Sequence, residues 1–76
     1  MELTAFIENF ANQFEDTEAS VFTSETKFHD LDEWGSLLAL SIIAMVDDEY
    51  GVVVKSDELK NCVTVLDVYN LVNSKK

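Results

Sequence analysis

The sequence predicts an all-α fold: a four-helix bundle of three longer helices and one short helix, with a long loop between the first and second helices. Apolar residues recur at spacings of three and four, the pattern of helices that bury one face. Helix breakers are rare, since the 76 residues include two glycines and no proline. With 47% hydrophobic side chains, the chain is expected to form one domain over residues 1–76 with a real core.

The first helix is predicted over residues 3–14. Its apolar side chains recur at the spacing of one helical face, while acids and amides occupy the opposite side. The residues of this face are Leu3, Phe6, Ile7, Phe10, Ala11 and Phe14. We therefore expect this face to enter the core.

Periodicity is lost between residues 16 and 35, which predicts the long loop. Val21 and Phe22 are expected to form a short turn of helix. Loops of this length without their own structure are uncommon in compact domains and are often functional. Because Phe28, Leu31 and Trp34 are large and apolar, we expect the loop to fold back onto the core, with Trp34 partly buried.

The second helix is predicted over residues 36–50, with Ser36 as its N-cap and Gly51 as the residue that ends it. From residue 37 to residue 46 the only polar side chain is Ser41. One face, sufficient for the core, comprises Ala39, Ile42, Ile43, Val46 and Tyr50; a second comprises Leu37, Leu40 and Ala44, with Leu38 adding to it near the N-terminus. A helix that is apolar nearly all round is either fully buried or lies at an interface, and three other helices are too few to enclose it. The second face is therefore predicted to bind a partner.

The C-terminal third of the chain is predicted to hold two more helices. Residues 52–54 have strand propensity but no obvious strand to pair with, so we expect an extended connector that packs into the core. Ser56 is the predicted N-cap of a short helix over residues 57–61. Thr64 and Asp67 resemble a capping box, which predicts a last helix over residues 65–73. Its expected buried residues are Val65, Val68, Tyr69 and Val72, with Leu71 flanking them.

The charge of the chain excludes several classes of partner. Fifteen acids against five lysines, with no arginine, give a formal net charge of −10. Binding to nucleic acid or to an anionic membrane surface requires clustered cations, so both are disfavoured. The apolar run of the second helix is about half the roughly twenty residues of a membrane span, and the N-terminus lacks the basic region of a signal peptide. We expect a cytoplasmic monomer, capable at most of weak self-association, that is attracted to basic patches on other proteins.

A calcium loop is the first alternative for the region before the second helix. Asp30, Asp32 and Gly35 match positions one, three and six of an EF-hand loop. Positions five and twelve hold Trp34 and Ser41, and a bidentate glutamate is required at position twelve. These acids are therefore predicted to be solvated loop residues, and no metal site is expected.

Nucleophilic catalysis is the second alternative. Ser36 and His29 are present together with many acids, but a catalytic triad also needs an oxyanion hole and a cleft, which a bundle of this size hardly offers. His29 is expected to be an ordinary loop residue. The single cysteine, Cys62, cannot form an internal disulfide and is predicted to be a small buried hydrophobe. No catalytic residue is predicted.

Several segments follow one another in an informative order. They are Gly35-Ser36-Leu37, the apolar helix, Asp47-Asp48-Glu49-Tyr50-Gly51, Val52-Val53-Val54, Asp57-Glu58 and Thr64-Val65-Leu66-Asp67-Val68. Their order and spacing resemble those of the acyl carrier proteins. The likeness covers essentially the whole chain, including the long loop with Phe28-His29-Asp30-Leu31. It implies a helical bundle that carries acyl groups and is not itself an enzyme.

The resemblance also implies a cofactor and partners. A 4′-phosphopantetheine arm would be joined to Ser36 through a phosphodiester, transferred from coenzyme A by a phosphopantetheinyl transferase. The carrier would then present acyl thioesters to acyl-processing enzymes of fatty-acid, polyketide or related synthesis, which offer basic patches. The residues expected to contact partners are Gly35, Leu37, Leu38, Leu40, Ser41, Asp47 and Asp48.

The chain departs from the family pattern at the residue before the serine. The family usually has an aspartate there, which contributes to recognition by the transferase, whereas this chain has Gly35. Leu38 and Ser41 also replace acids that are common in the first half of the helix, which favours a specialised carrier. The alternative interpretation is an unmodified interaction module that keeps the carrier fold and binds partners through residues 37–46.

Overall fold

The computed structural model describes residues 2–76, and every regular element in that range is helical. Four α-helices follow one another: α1 (Leu3–Ala11), α2 (Ser36–Tyr50), α3 (Ser56–Asn61) and α4 (Val65–Ser74). Two short 3₁₀ turns, Ala19–Val21 and Phe28–Asp30, interrupt the long loop between α1 and α2. Helix α1 packs on both α2 and α4, and α3 packs on α2. The predicted all-α bundle of three longer helices and one short helix is confirmed.

Helix α1 is shorter than predicted, because it ends at Ala11 and not at residue 14. The amides of Gln13 and Phe14 bond back three residues, to the carbonyls of Phe10 and Ala11, and tighten the chain into a turn. Phe14 is nevertheless buried, with 6% of its surface exposed. The apolar spacing therefore identified four buried residues of this segment, Phe6, Phe10, Ala11 and Phe14, whereas Leu3 and Ile7 are only half-buried. It also extended the helix into a turn that follows it.

The core is largely aromatic. Phe6, Phe10 and Phe28 are fully buried, and their rings form a chain: Phe6 lies 6.2 Å from Phe10, and Phe10 lies 5.4 Å from Phe28. Phe6 also contacts Tyr50 and Tyr69, at 5.7 and 5.6 Å between ring centroids. Such ring pairs contribute about 0.5–1.5 kcal/mol beyond the apolar area they bury. This chain of rings joins α1 to α2, α4 and the loop.

The ends of α2 are set by two glycines. The predicted bounds of this helix, residues 36–50, are confirmed. Gly51 ends the helix in the left-handed conformation, at φ +66°, which glycine adopts without a Cβ clash. The prediction that Ser36 is the N-cap is wrong: Gly35 is the cap residue, its carbonyl accepts from the amide of Ala39 at 2.9 Å, and Ser36 is the first helical residue.

The two C-terminal helices differ in how they begin. Helix α3 includes Ser56 as its first residue, so the predicted N-cap is wrong by one position. The N-cap residue is Lys55, whose amide donates to the Glu58 carboxylate at 3.0 Å. Helix α4 has the predicted capping box, in which the Thr64 hydroxyl accepts from the Asp67 amide and the Asp67 carboxylate accepts from the Thr64 amide. Helix α4 ends at residue 74, one residue later than predicted.

The non-helical segments pack onto the bundle as predicted. Val52 and Val54 of the extended connector are buried while Val53 points outward and is 66% exposed. The long loop is held across the start of α4, where the amides of Val65 and Leu66 bond to loop carbonyls at 3.1 and 2.9 Å. Along residues 2–76, no helix is long and apolar enough to cross a membrane.

Candidate functional site

Ser36 lies exposed in the first turn of α2. The preceding Gly35 is fully extended, at φ 179° and ψ −172°, and no side chain caps the helix. Since the first amides of a helix have no acceptors within it, the uncapped turn offers N–H groups and the positive end of the helix dipole beside the Ser36 hydroxyl. Helix α1 also lacks a capping side chain, whereas in α3 and α4 a carboxylate accepts from the amide of the N-cap residue.

A surface groove of about 490 Å³ runs from Ser36 between α2 and α3. Its lining on the α2 side includes Ala39, Leu40 and Ile43, and Leu59 of α3 faces them. Ser56, Asp57 and Lys60 add polar groups on the α3 side, while His29, Trp34 and Gly35 surround the end nearest Ser36. The groove is therefore an apolar channel with a polar rim, open to solvent and continuous with the serine.

An aromatic cluster forms the wall of this groove. Trp34 packs edge-on against Phe28 at 4.8 Å, and the His29 ring lies 4.4 Å from Phe28 and 5.3 Å from Trp34. Trp34 is half-buried, as predicted. His29 was expected to be an ordinary loop residue, but its ring lines the groove beside Ser36. The sequence carried no periodic signal for this placement, because the 3₁₀ turn Phe28–Asp30 interrupts an irregular segment.

The outer face of α2 remains apolar and exposed. Leu37 is 75% exposed and Leu40 is 63% exposed, and Ala44 also faces solvent. Leu38 does not join them fully, because it is half-buried against the core, so only part of its side chain is available to a partner. The core side of α2 consists of Ile42, Met45 and Val46, with Ala39, Ile43 and Tyr50 half-buried against the core. Sequence spacing missed Met45.

A second, shallower cavity lies further along α2. It measures about 730 Å³ and is lined by Gln13, Ser41, Ala44, Met45, Asp47 and Asp48. Gly35, Ser36 and Leu40 thus line one cavity, and Ser41, Asp47 and Asp48 line the other. Leu37 and Leu38 line neither. The residues predicted to contact partners are therefore distributed along the helix and not gathered into one cleft.

Glu33 is a site residue that the sequence did not reveal. Its two carboxylate oxygens accept hydrogen bonds from the amides of Glu15 and Asp16 and from the Thr17 hydroxyl, at 2.8, 3.1 and 2.8 Å. Partial desolvation raises the pKa of Glu33, but the hydrogen bonds from Thr17 and from the amides outweigh it and hold the pKa below its ordinary value. No local pattern pointed to this contact, because it joins residues sixteen to eighteen positions apart.

The remaining candidates for chemistry are placed for packing. Cys62 is buried, and its thiol donates to the carbonyl of Glu58 at 3.4 Å. Burial raises the pKa of this thiol, and the nearby Asp67 and Glu58 carboxylates raise it further, so the reactive thiolate is disfavoured. Within residues 2–76, no group of three or more His, Cys, Asp or Glu side chains is arranged to hold a metal ion.

Comparisons of the chain with protein-family models, with curated proteins and with solved structures found no match.

Proposed function

We propose that this protein is an acyl carrier, which tethers acyl groups as thioesters on a 4′-phosphopantetheine arm attached to Ser36. The observation that carries the proposal is the position of Ser36: its side chain is exposed, it begins a helix without a capping side chain, and it opens onto an apolar groove. A role as helix cap does not account for Ser36, because a serine at the first position of a helix does not itself cap it.

The electrostatics of the site suit a phosphodiester. An anion near the start of α2 would meet unpaired amides and the positive end of the helix dipole, an arrangement that commonly binds phosphate in proteins. A net charge of −10 otherwise opposes an added anion, so the location of the attachment matters. The start of α2 is a favourable place on an acidic surface to add one.

The groove suits the arm and its cargo. When attached, the arm supplies a thiol that holds an acyl group as a reactive thioester. Ala39, Ile43 and Leu59 would cover apolar parts of that group, and the polar rim at Ser56 and Lys60 offers partners for amides of the arm. The chain's own role is to bind, orient and shelter, and we assign it no catalytic step.

Partner enzymes would dock on α2. Leu37 and Leu40 offer exposed apolar contacts, while Asp47 and Asp48 offer exposed acids further along the same helix. Apolar anchors within a charged rim are typical of transient interfaces, in which the charges speed the encounter. The partners we infer are therefore a phosphopantetheinyl transferase and acyl-processing enzymes that present basic patches.

The direct test is intact mass. The purified chain is incubated with coenzyme A and a promiscuous phosphopantetheinyl transferase, and the mass should increase by about 340 Da. Ser36→Ala should abolish the gain, whereas Ser74→Ala, at an exposed serine of α4, should retain it. A wild-type mass unchanged at saturating transferase contradicts the proposal.

The exposed leucines favour one alternative function, an unmodified interaction module. Leu37 and Leu40 are 75% and 63% exposed, an unusual amount of apolar surface for two neighbouring positions of one helix. In that case the chain isolated from its native host should lack the mass of the 4′-phosphopantetheine arm. Its exposed leucines should also make it associate with itself or with a partner protein in a concentration-dependent manner. Leu37→Asp should abolish this association, whereas Val53→Asp, at an equally exposed valine outside α2, should not.

A further inference from the structure

The segment that carries Ser36 is fastened to the opposite end of the long loop. Glu33 Oε2 accepts from the Glu15 amide, and Oε1 accepts from both the Asp16 amide and the Thr17 hydroxyl. One side chain thus binds three consecutive residues of the turn that follows α1. We call this group of hydrogen bonds the Glu33 clasp.

The clasp forms in an acidic part of the chain. Glu15, Asp16 and Asp32 are neighbours of Glu33 in sequence or through the clasp, in a chain of net charge −10. Direct donors to a carboxylate favour its ionised form. Hydrogen bonds to an ionised acceptor are roughly twice as strong as neutral ones. A carboxylate with three donors is therefore held in place by specific hydrogen bonds.

Little else restrains the chain between the clasp and the serine. Trp34 packs on Phe14 and Phe28, but a Cβ at Gly35 would have no atom within 4 Å. Helix α2 has no capping side chain, and uncapped first turns fray readily. Apart from the backbone bond of the Trp34 amide to the Leu31 carbonyl at 3.0 Å, the clasp and the Trp34 ring are therefore the two anchors that precede Ser36.

We propose that Glu33 is a positioning residue for the modification of Ser36. By fastening the turn after α1, it fixes Trp34 in the wall of the groove and limits fraying of the first turn of α2, so that the serine hydroxyl is presented in one arrangement. This inference rests on the proposed carrier function. It assigns no contact between Glu33 and the transferred group.

The decisive variant is Glu33→Gln, with Asp32→Asn as its matched control. Glutamine keeps the size of the side chain but replaces one acceptor oxygen by an amide that faces a donor, so at least one bond of the clasp is lost. Asp32→Asn removes the same charge one residue away and takes no part in the clasp. Thr17→Val, which removes only the hydroxyl donor, should produce a smaller effect in the same direction.

Trp34 gives a local spectroscopic signal, because it is the only tryptophan of the chain and follows Glu33 directly. In Glu33→Gln its emission should shift to the red while the far-ultraviolet circular dichroism remains that of the wild type. The resonance of at least one of the two amides, Glu15 or Asp16, should move upfield, because one of their acceptor oxygens is lost. Asp32→Asn should change neither signal. If Glu33→Gln fails to fold, Thr17→Val carries the same test.

The kinetics of modification separate positioning from simple loss of fold. A smaller folded fraction raises the apparent KM of the transferase for the carrier and leaves kcat unchanged. A misplaced serine in a folded carrier lowers kcat, for which we expect about tenfold, with KM changed less than about twofold because the docking acids of α2 are intact. A wild-type kcat in folded Glu33→Gln would overturn the inference, whatever its Trp34 emission.

Failure of the inference can be told from failure of the carrier function. If the wild type itself is never modified, the carrier function fails and with it the positioning role, whatever the spectroscopic signals show. If the wild type is modified and Glu33→Gln is modified equally fast, the carrier function stands and Glu33 is not a positioning residue.

Discussion

The indole of Trp34 stacks on the ring of Phe14, with centroids 6.2 Å apart and planes inclined by 26°. This contact joins the residues before Ser36 to the turn after α1. Phe14 in turn lies 5.8 Å from Phe10 and 4.8 Å from Phe22. The wall of the candidate site is thus continuous with the aromatic core, and damage to the core at Phe14 should be transmitted to the site.

Phe14→Ala should therefore destabilise the protein and change the site together. Removing a buried phenylalanine side chain costs about 3–5 kcal/mol, a large part of the stability of a domain of this size. Phe14→Leu, which retains most of the volume, should cost about 1 kcal/mol and still shift Trp34 emission. The measurement is urea unfolding followed by circular dichroism and by fluorescence. Leu40→Ala, at an exposed position, should stay within about 0.5 kcal/mol of the wild type, and a larger loss there would contradict the assigned burial.

The helical core of this fold was predictable from the sequence because its signals are local. Apolar spacing placed Phe6 and Phe10 on one face, Gly51 marked the end of α2, and Thr64 with Asp67 marked the start of α4. The N-caps of α2 and α3 were predicted one residue too late, at Ser36 and Ser56 and not at Gly35 and Lys55, because a serine is favourable both as a cap and just inside a helix.

The site was only partly predictable. Ser36 and the exposed leucines of α2 followed from the pattern of one helix. The Glu33 clasp and the placement of His29 in the groove did not, because both depend on how an irregular loop folds back across the bundle. Contacts between distant residues of such a loop leave no periodic trace in the sequence.

The cap of α4 should make stability depend on pH in acid. Hydrogen bonds from the amides of Thr64 and Val63 lower the pKa of Asp67 below its ordinary value, although partial desolvation opposes them. Because the folded pKa is lower than the unfolded one, the stabilisation is present in full above about pH 4 and is lost as the pH falls through the folded pKa.

Asp67→Asn should therefore cost stability at pH 7 and progressively less below pH 4. The measurement is the free energy of unfolding from urea titrations between pH 7 and pH 2.5, compared with the wild type at each pH. Thr64→Ser, which keeps the hydroxyl and both amide donors to Asp67, should keep the pH dependence of the wild type. If the free energies of unfolding of Asp67→Asn and the wild type differed by a constant amount over this pH range, the Asp67 carboxylate would not be the source of the pH dependence.

Salt should raise the melting temperature. The chain measures 30 × 24 × 20 Å, so at about 10 mM salt, where the Debye length is about 30 Å, every charge acts across the whole molecule. At about 150 mM salt the Debye length falls to about 8 Å, so the repulsion among the ten net negative charges is largely screened. The one ion pair within residues 2–76, Lys75 with Glu58 at 2.9 Å, lies at the surface with about a third of each side chain exposed, and it contributes little that screening could remove.

Calorimetry or circular dichroism should therefore show that the melting temperature rises by a few degrees from about 10 mM to about 150 mM salt. The double variant Asp47→Asn/Asp48→Asn, with two fewer negative charges, should show a smaller increase and a higher melting temperature at low salt. A melting temperature that is independent of salt in the wild type would exclude self-repulsion as a significant contribution.

Gly35 should tolerate an aspartate, because the fold does not require a glycine at this position. Its backbone is extended, its added Cβ would contact nothing within 4 Å, and it occupies the N-cap of α2. Aspartate at an N-cap accepts from the free amides of the first turn and is better there than glycine by a few tenths of a kcal/mol. Gly51 is the contrasting position: its φ of +66° is left-handed, and a side chain in that conformation lowers the stability by about 1–2 kcal/mol.

Gly35→Asp should thus unfold at the same or a slightly higher urea concentration than the wild type, whereas Gly51→Asp should unfold clearly earlier. With the acid that the resemblance associates with transferase recognition restored, kcat/KM for modification of Ser36 should rise in Gly35→Asp. Gly35→Asn, which caps equally well without the charge, separates the two effects: it should match Gly35→Asp in stability and the wild type in modification rate. Equal rates for all three chains would show that the transferase does not read this position, and the specificity of modification would then reside in α2 itself.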